Sequence, residues 1–153
     1  MMSIPLVPNL LRSHLAELAL EDKRHDGRQR FEGRDVELEI NCLPRAEGSA
    51  RVRMGDTIVL AGVKFQIMTP YPDRPNEGGL MCSAEVRPVA GRNWEAGPPS
   101  AESIELGRVV DRGIRESGCI NTEDLCIIPG EKAWQVILDV FAVSDDGNLF
   151  DAF

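Results

Sequence analysis

Residues Ala133 to Ser144 constrain this chain more than any other segment, because they are apolar on both sides of an extended backbone. Trp134, Val136, Leu138 and Val140 point one way, and Ile137, Phe141 and Val143 the other. Such a strand belongs at the centre of a sheet and needs cover on both faces. Only two other segments have helical periodicity. Asn9 to Glu21 repeats Leu10, Leu11, Leu15, Leu18 and Ala19 at helical spacing after Pro5 and Pro8. The second runs from Ser100, a good N-cap, with Glu102 in the first turn, to Gly118, a good stop. Two helices are few for two faces, and Leu149-Phe150-Asp151-Ala152-Phe153 opens a further apolar element that stops after five residues. The expectation is an incomplete core that aggregates unless other structure covers it.

The remaining segments read as strands and loops. Asp35 to Leu43 alternates Val36, Leu38, Ile40 and Cys42 with polar residues, which predicts a half-buried strand. Ser49 to Met54 and Thr57 to Ile67 form a hairpin through Gly55-Asp56, and Leu80 to Val89 is a fourth strand. Three prolines exclude regular structure between Met68 and Gly79, and Gly91 to Ser100 is a second Pro/Gly-rich loop. Asp145-Asp146-Gly147-Asn148 signals a turn. The fold class is α+β, a mixed sheet with helices packed on it.

The chain of 153 residues has a formal charge of -8, so any polyanion must be held by a local cluster of basic groups. Fourteen of its 17 basic residues are arginine, the better bidentate partner for phosphate; the lysines are Lys23, Lys64 and Lys132. Arg108, Arg112 and Arg115 fall within a stripe roughly 60° wide on the second helix, with Leu106, Val109, Val110 and Ile114 spread over the other side. The helix thus packs by one side and offers guanidinium groups from the other. Glu105 to Arg108, Asp111 to Arg115 and Arg112 to Glu116 have helical pair spacing, so a solvated, salt-bridged surface is the competing reading.

Other chemistry is mostly excluded by pattern. There is no phosphate-binding Gly-rich loop ending in Lys and Ser/Thr, no GxSxG elbow and no HExxH helix. Cys42, Cys82, Cys119 and Cys126 lack CxxC spacing and the histidines are only His14 and His25, so no metal site or cofactor is implied; the cysteines read as reduced, mostly core residues. No apolar run reaches the roughly 18 residues of a membrane span, and no signal pattern opens the chain. A soluble cytoplasmic protein is expected. Asp139, charged in mid-strand, needs a partner, either one of the arginines or a group in the core.

From Arg24 to Phe153 the chain resembles the RNase PH-like family, nearest to the non-catalytic RNase PH-type subunits of archaeal exosomes. The resemblance rests on Asp26-Gly27-Arg28, on Arg45 to Ala50 with Gly55-Asp56-Thr57, on Tyr71 to Gly78, on Gly97-Pro98-Pro99, on Glu105 to Ser117 and on Asp145 to Asn148. It implies a ribosomal protein S5 domain 2-like fold, with residues 1–23 as a helical extension and 24–153 as the N-terminal portion of the domain. It further implies a hexameric ring of three heterodimers with a catalytic RNase PH-type partner, cap subunits on one face, and 3′ to 5′ degradation of single-stranded RNA by phosphate. Catalytic members hold phosphate in an Asp-Gly-Gly-Ser/Thr-Arg stretch. Here Asp146-Gly147-Asn148-Leu149-Phe150 stands there, which implies no catalytic residue in this chain. The resemblance assigns RNA contact to Arg108 and Arg112, with Arg115 beside them.

Overall fold

The computed structural model describes residues 9–92 and 94–153, which divide into two units at Arg34/Asp35. Pro5 and Pro8 lie outside the described residues. In the first unit, α1 (Asn9–Leu20) is followed by a turn region in which Lys23 bridges Gln29. Gly27 takes φ 86°, the left-handed conformation that suits glycine, and Asp26 accepts from the Arg28 backbone at 3.2 Å and guanidinium at 2.8 Å. Asp26-Gly27-Arg28 is therefore a self-closed turn. The Arg28 hydrogen bonds hold the Asp26 carboxyl below its ordinary pKa.

The second unit is built on a six-stranded sheet. Its strands are β1 (Val36–Ile40), β2 (Gly48–Met54), β3 (Thr57–Met68), β4 (Gly79–Val86), β5 (Cys126–Ile128) and β6 (Lys132–Ser144). Their order is β1-β2-β3-β6-β4, with β5 also on β6. As its two-sided apolar pattern requires, β6 is internal, antiparallel to β3 and parallel to β4. The parallel pair is joined through α2 (Ala101–Ser117), because parallel strands need a long crossover. The β2–β3 turn places Gly55 at φ 60° in its first central position, the type II′ pattern.

Both helices of this unit sit on one sheet face. Leu106 of α2 packs with Val86, Ala90 and Ala142, while Ala152 of α3 (Leu149–Ala152) packs with Met54, Val59 and Val140. Thr57, fully buried, ties the turn after β6 to the β2–β3 hairpin: its hydroxyl donates to the Gly147 carbonyl at 2.8 Å and accepts from Asp146 N–H at 3.0 Å. These bonds place the start of α3 over the sheet.

The pattern-based expectation for β1 needs correction. Its residues are exposed on both faces, Val36, Leu38 and Ile40 at 64%, 66% and 68%. Alternation identifies an apolar face, but cover requires an opposing element, and within this unit β1 is an edge strand beyond α2 and α3. Phe65, Ile67 and Trp134 lie on the same face and are also exposed. All four cysteines are free, in line with the expected reduced state, but none is a core residue: Cys42, Cys82 and Cys126 are half-buried, and Cys119 is exposed just beyond α2.

Candidate nucleic-acid interface

Local sequence sets the ends of α2. The Ser100 hydroxyl accepts from Ser103 N–H at 3.2 Å, and Gly118 closes the helix at φ 64°, donating to the Arg115 carbonyl. Ser103 and Leu106 are buried against the sheet. Val109, placed with the packing side from sequence, is 49% exposed, because the buried face centres on Ser103, Leu106, Gly107 and Val110. A side chain on Gly107 would sit 3.5 Å from Ala84 Cβ, so helix and strand approach closely.

The helix lies along the free edge of β4. In a parallel ladder alternate residues turn their main-chain groups away from the partner strand, and here those of Leu80 and Ala84 face α2. The Arg115 guanidinium donates to the Leu80 carbonyl at 2.6 Å, and the Ser103 hydroxyl to the Ala84 carbonyl at 3.5 Å. Both bonds blunt an edge that would otherwise be open to another strand. Between this edge and α2 runs a groove of about 590 Å³, lined by Met81, Cys82, Ser83, Pro99 and Ile104 together with the three arginines.

The arginines have different roles. Arg115 is committed: besides Leu80, its Nε meets both oxygens of Asp111 at 2.9 and 2.8 Å. The hydrogen bonds it donates to the Asp111 carboxylate raise the guanidinium pKa further. Arg108 and Arg112 make no hydrogen bond or ion pair among the described residues, and both are exposed. Of the three local pairs that the spacing allowed, only Asp111–Arg115 forms. A salt-bridged surface thus accounts for one arginine of the stripe and leaves two guanidinium groups open beside the groove. Replacing Arg115 by Ala should lower stability by about 1 kcal/mol, allowing for its half-exposed side chain, in a denaturant titration. No loss of stability would show that the Leu80 bond is not formed in solution.

Cys82, in the same groove, has its thiol pushed up to about 11, chiefly by burial and then by the Asp111 and Asp139 carboxylates, with Arg115 opposing. It stays a protonated thiol near neutral pH. Asp139 pairs with neither an arginine nor a core group: Ser83, its register partner across the parallel ladder, donates to it at 2.5 Å on the exposed face. At the turn after β6, Asp145 accepts from Gly147 N–H at 2.9 Å and from the Trp94 indole at 2.8 Å. That Trp94 contact was not legible in the sequence. Asn148 bonds Asp151 at 2.7 Å, and Leu149 and Phe150 follow in α3. Neither offers a group to hold phosphate. Among the described residues no cluster of His, Cys, Asp and Glu converges as metal ligands, and no helix is long and apolar enough to cross a membrane.

The mixed sheet, its strand–helix–strand crossover and the turn after β6 define the class: the chain belongs to the RNase PH family, and the family described as 3′ exoribonuclease family, domain 1, matches residues 32–153. More particularly, it is 47% identical over 147 residues to exosome complex component Rrp42 of Methanosarcina acetivorans, covering 96% of this chain and 55% of that one. A chain of the Archaeoglobus fulgidus exosome with RNA bound to the active site superposes with a TM-score of 0.87 at 47% identity, covering 94% of this chain and 57% of that one. A chain of an archaeal exosome core gives 0.78 at 44% identity, covering 94% and 54%. The chain spans about half the length of the relatives it matches.

Proposed function

We propose that this chain is a structural, RNA-holding and non-catalytic part of an archaeal-type cytoplasmic exosome, in which Arg108 and Arg112 grip the phosphates of a single strand. The observation that carries the reading is the pair of open guanidinium groups on the groove between α2 and β4, beside an Arg115 that is already occupied. They are one helical turn apart, about 6 Å along the axis, so a strand running along the groove meets both. Contact to phosphates alone holds RNA without reading its sequence. Arg115 serves in this account as the support of the groove wall rather than as an RNA ligand.

The chemistry belongs to a catalytic RNase PH-type partner in a ring of three heterodimers with RNA-binding caps. There inorganic phosphate attacks the 3′-terminal phosphodiester and releases a nucleoside diphosphate. Leu149 and Phe150 stand here where phosphate binding would need a hydroxyl and an arginine, which supports a non-catalytic role. The isolated chain is therefore expected to leave a 3′-labelled RNA intact in phosphate buffer, while the complex with its partner shortens it. Phosphate-dependent shortening by the isolated chain, at a rate near that of the complex, would make it a self-sufficient exoribonuclease instead.

A further inference from the structure

The other flank of α2 has the opposite charge. A pocket of about 310 Å³ lies between the first half of that helix and the turn after β6, lined by Trp94, Glu102, Glu105, Leu106, Asp145 and the Asn148–Phe150 segment. Its surface is mainly apolar, with Leu106 buried at its base and Phe150 54% exposed at its rim. Three carboxylates line it and no lysine or arginine does. Glu102 and Glu105 have no ion pair among the described residues, whereas Asp145 is held by Trp94 and by Gly147 N–H. The pocket therefore joins an oriented indole, aliphatic walls and two carboxylates without an ion-pair partner among the described residues.

We propose that this pocket is a docking site for an arginine side chain of a partner protein. A guanidinium has the matching chemistry: it is weakly hydrated, stacks on aromatic and apolar surface, and pairs with carboxylates through a fixed fork of donors. The net charge of -8 favours a basic partner surface for the whole chain. An anion meets the reverse, since any phosphate entering would face Glu102, Glu105 and Asp145. The same helix thus offers cations to one ligand from its β4 flank and anions to another from its β6-turn flank. This site stands whether or not Arg108 and Arg112 hold RNA.

The chain has two tryptophans, and only Trp94 lines the pocket, so the two indole N–H signals in a 15N–1H NMR spectrum supply a probe and an internal control. Titration with the blocked peptide acetyl-Gly-Arg-Gly-amide should shift the Trp94 signal saturably and leave that of Trp134 in place. Glu102→Gln with Glu105→Gln should weaken binding at least about tenfold. A peptide carrying norleucine in place of arginine, and inorganic phosphate, should leave the signal unmoved. No saturable shift with the arginine peptide, equal binding of the norleucine peptide, unchanged affinity in the double variant, or a tighter response to phosphate would each overturn the proposal. Spermidine binding as tightly as the peptide would overturn the protein-partner assignment in favour of a free polyamine.

Discussion

Gly78→Ala is expected to destabilise the chain by about 3 kcal/mol, enough to unfold it near ambient temperature if its stability is at the low end for a domain of this size. A Cβ at Gly78 would lie closer than 3.0 Å both to the Trp134 carbonyl oxygen and to Leu125 Cβ. The first is backbone of the central strand β6 and the second is the fixed root of a side chain, so neither can swing away. The Gly78 N–H also donates to the Thr122 carbonyl at 2.8 Å, which locks the segment in place. Neighbouring Gly79 differs, because its added Cβ would meet Met68 Sδ and Gln135 Cγ, which are parts of flexible side chains. Gly79→Ala should therefore cost less. Gly113 of α2 has nothing within 4 Å, and its replacement by Ala should raise stability by roughly 0.5–1 kcal/mol through helix propensity. Denaturant midpoints followed by circular dichroism would rank the three variants. A midpoint for Gly78→Ala equal to wild type would show that β6 and its Pro-rich neighbour are not packed as described.

How far the sequence could be read depended on whether the deciding partner was local. The ends of α2 are local, and Ser100 and Gly118 stand at them as expected. The place of β6 was legible because a strand apolar on both sides is too costly to leave at an edge. Cover was not legible. Val36, Leu38 and Ile40 have the pattern of a half-buried strand, yet what lies opposite them depends on where α2 and α3 reach across the sheet. The same divide runs through the candidate site. Spacing alone showed that Asp111 could hold Arg115, but the Leu80 carbonyl comes from 35 residues away. It becomes a partner only once β4 is an edge strand beneath α2. Asp139 met Ser83 through a parallel register 56 residues apart, which no local pattern encodes.

The second large effect concerns RNA. Arg108→Ala with Arg112→Ala removes two guanidinium groups that have no partner among the described residues, so the loss falls on ligand binding and leaves the fold intact. Taking roughly 1 kcal/mol for each exposed charged contact, the assembled complex should hold single-stranded RNA about 30-fold less tightly at low salt. The deficit should shrink as salt rises, because those contacts draw their strength from counterion release. Arg115→Ala should weaken the fold while changing RNA affinity less than either open arginine does.

The most direct measurement is the salt dependence of RNA affinity for the chain assembled with the proposed catalytic partner, wild type against Arg108→Ala/Arg112→Ala, with the mass of each assembly checked in parallel. If the two side chains each neutralise one phosphate of a single strand, the slope of log affinity against log salt should fall in magnitude by about 1.4 while the mass stays the same. An unchanged slope and affinity in an intact assembly would contradict the RNA-holding role and leave α2 an element of assembly alone.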